Sequence, residues 1–476
     1  MANPNSIVSQ RLSKLKTHLK QENPLLVDVV SHFEQLDKIG YKAGFLNKDE
    51  SFANRISWWP LVSILGTFSA GKSTFINSFL GGKLQKTGNQ AVDDKFTVLT
   101  FSGDDEVRVL PGIALDADPR FPFYQIGEEI EKVSAGDGGK IDSYLQLKTC
   151  HSEILRGKIM IDSPGFDADE QRNAILRITD HIIDLSDLVL VFFDARHPEP
   201  GAMKDTLEHL VRNTLDRTDA TKFIFVLNQI DTTAREDNLE EVVAAWQKAV
   251  VQAGLTAGTF YCLFDGNAAV PIEDETVTAR YQRRRDADLS AITERIAKVG
   301  VERSYRIVGT LEATADKIEH QWVPEIASAV SRWRKRVLIT DAVMLMLIGL
   351  GLFTSGLLSA AFSTLGLNAL ADSLGVAPVL LAGGVLFLLI AIIWLHFLFR
   401  KWHAKIIAAG LKRKKNDISV IKAFNKNTHF THSLFRTRPI GWGAGARRKL
   451  NKIREAADSF VQTLNDQFTD PSGGAG

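Results

Sequence analysis

The run Gly66-Thr67-Phe68-Ser69-Ala70-Gly71-Lys72-Ser73-Thr74 constrains this chain more than any other stretch, because the pattern Gly-x-x-x-x-Gly-Lys-Ser works only between a strand and a helix. Ahead of it, Trp59 to Leu65 reads as a short apolar strand; after it, Phe75, Ile76, Phe79 and Leu80 recur at helical spacing. A strand that turns through glycines into a helix aims several backbone N–H groups and a helix N-terminus at one point, which suits a polyanion. Gly66, Ser69, Ala70, Gly71, Lys72, Ser73 and Thr74 are thus the expected phosphate cradle. Lys72 is expected to reach the β- and γ-phosphates, and Ser73 to offer its hydroxyl to Mg2+, a hard cation satisfied mainly by phosphate oxygens, water and one or two protein oxygens.

Two later segments extend this site. Ile154 to Ile161 reads as a second apolar strand and runs into Asp162-Ser163-Pro164-Gly165, where a carboxylate at the strand's carboxyl edge can hold the metal through water and Gly165 can turn its N–H onto the γ-phosphate. A helix over 170–183, a strand over 188–193, a helix near 202–215 and a strand over 223–227 follow, the last ending in Asn228-Gln229-Ile230-Asp231. An Asp there can accept two hydrogen bonds from N1 and N2 of guanine. Adenine lacks that donor pair, and the wrong base would leave the carboxylate unpaired. Asn-x-x-Asp alone is usually a turn; in the order phosphate loop, Asp-x-Pro-Gly, Asn-x-x-Asp, each at a strand end, the combination is specific.

The phosphate loop continuing into Phe75-Ile76-Asn77-Ser78-Phe79-Leu80-Gly81, with Asp162–Gly165 and Asn228–Asp231, resembles the large GTPases of the dynamin superfamily. Leu190-Val191-Phe192-Phe193-Asp194-Ala195-Arg196 is similar to the membrane-remodelling EHD ATPases and their bacterial dynamin-like relatives. The resemblance covers about residues 58–264 and implies a nucleotide-driven machine that oligomerises on membranes. Two departures stand out. The family's Pro-Thr-Thr segment of the first switch corresponds to Ala91-Val92-Asp93-Asp94-Lys95-Phe96-Thr97, so the metal-closing Thr falls on Val92 or Asp93; Thr97, Thr100 and Thr87 are the substitutes, with Thr97 chosen as the catalytic one. An acidic residue beside the γ-phosphate repels it, so either the loop binds differently or turnover is slow. Gln229 replaces the usual Lys of the base-reading loop, and since EHD relatives bind ATP with a similar loop, ATP stays open beside GTP. Phe166 stands where small GTPases carry a water-orienting Gln. In the family that gap is filled when two nucleotide domains meet face to face; Ser69 is then expected to orient the water or a monovalent cation, and Arg196 either to serve as a cation in the partner's site or to be a solvated surface residue.

Far from this site, residues 342–362 and 376–395 carry no charged side chain. Roughly 20 helical residues cross a hydrocarbon core about 30 Å thick, so each stretch is long enough to span. Between them the chain has one charge, Asp372; outside them lie Arg332-Trp333-Arg334-Lys335-Arg336 and Arg400-Lys401-Trp402-His403-Ala404-Lys405. This asymmetry predicts a hairpin with both basic flanks in the cytosol, Trp333, Trp394 and Trp402 at headgroup level, and Asp341 and His396 near the interface. A paddle dipping into one leaflet is the other membrane geometry, and two buried core helices the soluble one.

The rest reads as helical scaffold. Residues 288–330 are helix-compatible, with Pro324 as the interruption; Leu450, Ile453, Ala457, Phe460, Val461 and Leu464 form one stripe, and Val8, Leu12, Leu15 and Leu19 another, expected to pack in a bundle. The formal net charge of +1 gives no global pull toward nucleic acid, whereas the basic residues beside the hairpin can meet anionic lipid. Two cysteines are too few for a disulfide framework, and His429-x-x-His432 lacks supporting metal ligands. The expected organisation is a helical segment over 1–57, an α/β P-loop GTPase domain with a parallel-rich sheet flanked by helices over 58–270, an α-helical stalk over 271–336, a two-helix transmembrane hairpin over 337–399, a second stalk segment over 400–470 and a disordered tail over 471–476. The expected protein is a membrane-anchored, GTP-hydrolysing, Mg2+-dependent remodeller that forms homo-oligomers through its nucleotide domain. Its expected location is the cell inner membrane, with the nucleotide domain on the cytoplasmic face. The alternatives are an ATP-binding EHD-like remodeller and a nucleotide-gated scaffold with little turnover.

Overall fold

The computed structural model describes residues 4–67, 69–86, 95–116, 121–123, 126–133, 139–164, 172–197, 220–252, 254, 258–267, 269–364, 377–413, 417–436 and 438–468. The predicted helix near 202–215, the tail over 471–476, Thr87, the switch positions 91–94, Gly165 and Phe166 lie outside these residues. The chain divides into two compact units, one made of residues 13–27 and 54–307, the other of 1–12, 28–53 and 308–476.

The first unit is built on an eight-stranded sheet of order β3-β4-β2-β5-β1-β6-β7-β8. The strands are β1 (Leu61–Gly66), β2 (Phe96–Phe101), β3 (Arg108–Pro111), β4 (Leu145–Cys150), β5 (Ile159–Asp162), β6 (Leu188–Asp194), β7 (Phe223–Asn228) and β8 (Thr259–Leu263). From β5 through β8 every pairing is parallel; β2 joins β5 antiparallel, β4 runs parallel to β2, and β3 closes the edge antiparallel to β4. β1, β6 and β7 are buried on both faces and so read as unbroken apolar runs, with alternate residues serving opposite cores. Leu61, Leu65, Val191, Phe193 and Phe225 pack with Ile178 and Ile182 of the helix Arg172–Leu185 and Trp246 of the helix Leu239–Gln252. Val62, Ile64, Leu190, Phe192 and Val226 pack with Phe75 and Ile76 of the helix Lys72–Leu80 and with Ile292, Ile296 and Val299. Successive residues of one strand therefore hold helices on both sides, which leaves the carboxyl ends of β1, β5 and β7 together at one edge.

The second unit is helical. A helix from Glu275 enters it and ends at Asp316; a π-helical turn spans Lys317–Trp322, and a helix then runs from Val323 to Thr364. The interruption expected at Pro324 is this widened turn: a proline has no N–H for the carbonyl one turn back, and the chain absorbs the mismatch just before it. Of the predicted stripes, Val8, Leu12, Leu450, Ile453, Ala457 and Leu464 are buried in this unit and Leu15 and Leu19 are buried residues of the first, while Phe460 is half-buried with its ring edge-on to His32. Arg454 reaches Asp316 at 2.7 Å and Glu319 at 2.8 Å, and Lys317 reaches Asp417 at 3.0 Å.

The helices Val323–Thr364 and Ala377–Arg413 each contain an apolar stretch long enough to cross a membrane, and hardly any of it is covered by protein. Met346 and Phe387 are 72% and 75% exposed, which is the opposite of core helices. Asp341 and His396, expected near the interface, pair across the two helices at 2.8 Å. Trp394 and Trp402, read as headgroup-level rings, are exposed, but Trp333 is not. It is buried with Val337, Ile407, Leu411 and Phe424, and its indole N–H donates to the Arg400 carbonyl at 3.1 Å, so it seals the base of the helix pair rather than facing outward.

Candidate nucleotide site

The phosphate loop leaves β1 through two left-handed positions, Ser69 (φ 58°) and Gly71 (φ 83°). A Cβ at Gly71 would stand 2.2 Å from Asn228 Nδ2, so both the backbone angle and the neighbour demand glycine there. Ser69 holds a left-handed angle despite its side chain, a cost of roughly 1–2 kcal/mol; consecutive turns of this kind form the N–H nests that bind anions. Lys72 opens the helix Lys72–Leu80, whose first N–H groups have no partner within the helix. Its side chain is buried, and Nζ donates to the carbonyls of Gly66 and Thr67, both at 2.9 Å.

Below the loop, Ser73 Oγ lies 3.4 Å from Asp162 Oδ2, at the end of β5. The two oxygens converge because β5 is the direct neighbour of β1, with Asp162 opposite Ile64. Asp162 is buried and is also held by Gln85, whose Nε2 donates to Oδ2 at 2.8 Å. Gln85 accepts in turn from Lys148 Nζ on β4 at 2.5 Å, and Asn77 pins its backbone: Asn77 Oδ1 accepts from the Leu84 and Gln85 N–H groups, and Nδ2 donates to the Gln85 carbonyl, all at 2.8 Å. Next to Asp162 the Ser163 hydroxyl is buried without a hydrogen-bond partner among the described residues. A hydroxyl and a carboxylate at this separation are hard oxygen donors. With no cluster of three His, Cys, Asp or Glu among the described residues, the donor set fits a magnesium ion that keeps most of its ligands as phosphate and water, and not an all-protein metal cage.

The base-reading loop is fastened to the phosphate loop. Asn228 Nδ2 donates to the Ala70 carbonyl at 2.9 Å, and Gln229, at φ 64°, donates through Nε2 to the Ser69 carbonyl at 2.6 Å. Gln229 thus lies over the phosphate loop, where the expected Lys would pack. Asp231 is buried, and Oδ2 accepts the Val270 N–H at 2.7 Å, which fixes the carboxylate plane. Burial raises its pKa above the ordinary Asp value, opposed by the Val270 hydrogen bond and the nearby Arg196 charge. Arg196 itself grips Asp194 through Nε, at 3.0 Å to both carboxylate oxygens, and through Nη2 at 2.6 Å. Thr97 sits opposite Asp162 in the β2–β5 register, fully buried, with its hydroxyl accepting from Gln146 Nε2 at 2.7 Å; Thr100 lies further along the same strand. Thr74 is in the first turn of the loop's helix.

Gly66, Ser69, Ala70, Lys72, Ser73, Asp162, Asn228 and Asp231 therefore gather at one sheet edge. Gln85, Lys148 and Asn77 were not anticipated. Asn77 and Gln85 meet through the turn after the helix Lys72–Leu80, whereas Lys148 reaches them only because β2 and β4 add to the sheet beyond β5; the one local signal is the Asn77-Ser78-Phe79-Leu80-Gly81 continuation.

Residues 62–230 match the Dynamin family. Among similar proteins, a probable transmembrane GTPase, FZO-like and chloroplastic, of Arabidopsis thaliana is 24% identical over 51% of this chain and 23% of its own length. EH domain-containing protein 3 of Rattus norvegicus is 24% identical over 39% of this chain and 32% of its own. An uncharacterized protein of a Caldicellulosiruptor species is 24% identical over 38% of this chain and 42% of its own. The chain thus spans less than half the length of the curated relatives it matches. A solved structure of an oligomerised bacterial dynamin pair aligns with 98% of this chain and 73% of its own at 14% identity and a TM-score of 0.35.

Proposed function

We propose that this protein, whose residues 62–230 match the Dynamin family, binds and hydrolyses GTP and couples the cycle to remodelling or tethering of a membrane in which residues 337–399 are embedded. The observation that carries the nucleotide half is the convergence of Ser73 and Asp162, 3.4 Å apart beneath a loop whose backbone is set for phosphate. The Mg2+ that these two would hold neutralises charge on the β- and γ-phosphates when bound. Lys72 exchanges its two carbonyl acceptors for phosphate oxygens. Ser69 orients the attacking water, and Asn228 and Gln229 keep the base loop in register with the phosphates. Asp231 reads guanine through the carboxylate edge that Val270 leaves free. Thr97 closes over the γ-phosphate only if the start of β2 peels from β5, because its hydroxyl is turned to Gln146. Two nucleotide domains meeting face to face complete the site, giving a homo-oligomer.

The membrane half rests on apolar helices that the protein leaves uncovered and on the basic residues at their base. Anionic lipid would neutralise Lys401 and Lys405, and the nucleotide domain would face the cytoplasm, at the inner membrane. An ATP-driven remodeller is the second reading, favoured by the occupation of one Asp231 oxygen by the Val270 N–H.

Calorimetric affinities for GTP and ATP, with phosphate release in the presence of liposomes, test this. GTP should bind more tightly and be turned over above a Lys72→Ala control. Equal or tighter ATP binding would install the second reading, and turnover no faster than the control would reduce the protein to a nucleotide-gated scaffold.

A further inference from the structure

Beyond the apolar hairpin, one loop is anchored at its base yet leaves two phenylalanines uncovered. The helix Ile418–Asn427 is followed by the loop Thr428–Arg436. Two interactions hold that loop. Leu434 is 6% exposed and buried with Trp333, Val337 and Phe424. The Arg400 guanidinium donates through Nη2 to the carbonyls of His429 at 3.3 Å and His432 at 2.7 Å. Arg400 is the first charge after the second apolar stretch, so these carbonyls sit at the level where that helix becomes polar. Two local bonds tighten the turn, from His432 N–H to the His429 carbonyl at 3.1 Å and from Phe435 N–H to Ser433 Oγ at 3.2 Å.

Despite these anchors, Phe430 is 65% exposed, and Phe435, at 78%, is the most exposed large apolar side chain among the described residues. A Phe left in water forgoes most of the gain that burial brings. The loop's neighbourhood in sequence is also one-signed: residues 418–454 contain nine Lys or Arg and no Asp or Glu. Arg436 and Arg438 beside Phe435, and Lys401 and Lys405 on the helix that supplies Arg400, are exposed. Lys422, Arg447 and Arg454 of that stretch pair with carboxylates of other segments, whereas aromatic rings beside the exposed Arg436, Arg438, Lys401 and Lys405, held at the mouth of an apolar hairpin, match the interface of an anionic bilayer.

We propose that the loop Thr428–Arg436 is a second membrane-contacting element, which seats Phe430 and Phe435 at headgroup depth against anionic lipid; this rests on the hairpin being embedded. The consequence is a footprint wider than two helices, in which seating of the loop requires anionic lipid whereas insertion of the apolar stretch around Leu347 does not.

The test uses the full chain with single cysteines carrying an environment-sensitive fluorophore at Phe430→Cys, Phe435→Cys and, as the hairpin control, Leu347→Cys; the native Cys150 and Cys262 are buried. Each is reconstituted in phosphatidylcholine liposomes with and without phosphatidylserine. The Leu347 probe should be blue-shifted in both lipids. The loop probes should be blue-shifted, with several-fold brighter emission and quenching by a headgroup-level spin label, only with phosphatidylserine. Loop probes that stay water-exposed while the Leu347 probe is inserted would overturn the inference and leave the hairpin intact. Loop probes that respond to protein concentration, and not to lipid, would assign the surface to a protein contact. A water-exposed Leu347 probe would remove the embedded hairpin and the inference together.

Discussion

The side-chain amide of Gln229 donates to the main-chain carbonyl of Ser69 at 2.6 Å, and Asn228 makes the matching bond to Ala70 at 2.9 Å. Two loops from the ends of β7 and β1 are thereby one structural piece. Any movement of the base-reading loop is imposed on the phosphate cradle.

Asn228→Ala removes the more buried of the two bonds and leaves a loop carbonyl unpaired, a loss of about 1–3 kcal/mol. Nucleotide affinity should fall roughly 10- to 100-fold for GTP and ATP alike, because the bond shapes the cradle and not the base. Gln229→Lys should retain most of the affinity, since a Lys can make the same contact. Titration of a fluorescent nucleotide reads both.

Gly71→Ala should abolish nucleotide binding while leaving the fold in place. The left-handed angle and a Cβ 2.2 Å from Asn228 Nδ2 force the loop and the base-reading segment apart. Circular dichroism close to wild type with no measurable nucleotide binding is the expected pair of results.

Asp231 gives a pH dependence with a definite sign. Its pKa is raised by burial, so protonation, which converts one acceptor into a donor, begins at higher pH than for an ordinary Asp of 3.8. Preference for GTP over ATP should therefore weaken as pH falls toward that raised value, and Asp231→Ala should abolish the preference at every pH. The same group acts oppositely on stability. The folded state holds its proton more tightly than the unfolded one, so its contribution favours folding at low pH and is lost as pH rises from 3.8 through the raised value. Affinity ratios and urea midpoints across that window separate the two effects.

Asp187 is fully buried at the start of β6, where Oδ2 accepts the Leu61 N–H at 2.9 Å and Oδ1 accepts from Arg306 at 2.8 Å and Arg303 at 3.3 Å. Asp187→Ala removes one carboxylate acceptor from each arginine and the side-chain acceptor of a strand N–H, and should destabilise the first unit by about 3 kcal/mol. Nucleotide protection of thermal unfolding should persist, because the residue stands at the opposite end of the strands from the phosphate loop.

How much of this was legible depended on where the physics was local. β1, β6 and β7 declared themselves because strands buried on both faces are continuous apolar runs. The strand expected over 154–161 is shorter in the structure: Ile154 and Leu155 belong to a 3-10 turn, and Gly157 at φ 69° breaks the run before β5 begins at Ile159. β3 is exposed along its whole length, and β4 carries Lys148 on a buried face, so neither shows a strand pattern. The phosphate and base loops were readable because their chemistry lies within a few residues. The Lys148–Gln85–Asp162 chain was not, since it exists only across strands. Trp333 misled for a related reason: beside four basic residues it resembles an interfacial anchor, and only the packing of Ile407 and Phe424 against it reveals a core position.

The central claim is that nucleotide turnover and an embedded hairpin belong to one working molecule, and phosphate release by the reconstituted full chain tests it most directly. Wild-type protein, Lys72→Ala and a Leu347→Arg/Leu389→Arg variant are compared on anionic liposomes and in detergent. Wild type should hydrolyse GTP several-fold faster on liposomes than in detergent, the hairpin variant should lose that stimulation while keeping its detergent rate, and Lys72→Ala should be inactive in both. Equal rates for wild type and the hairpin variant under both conditions would contradict the account.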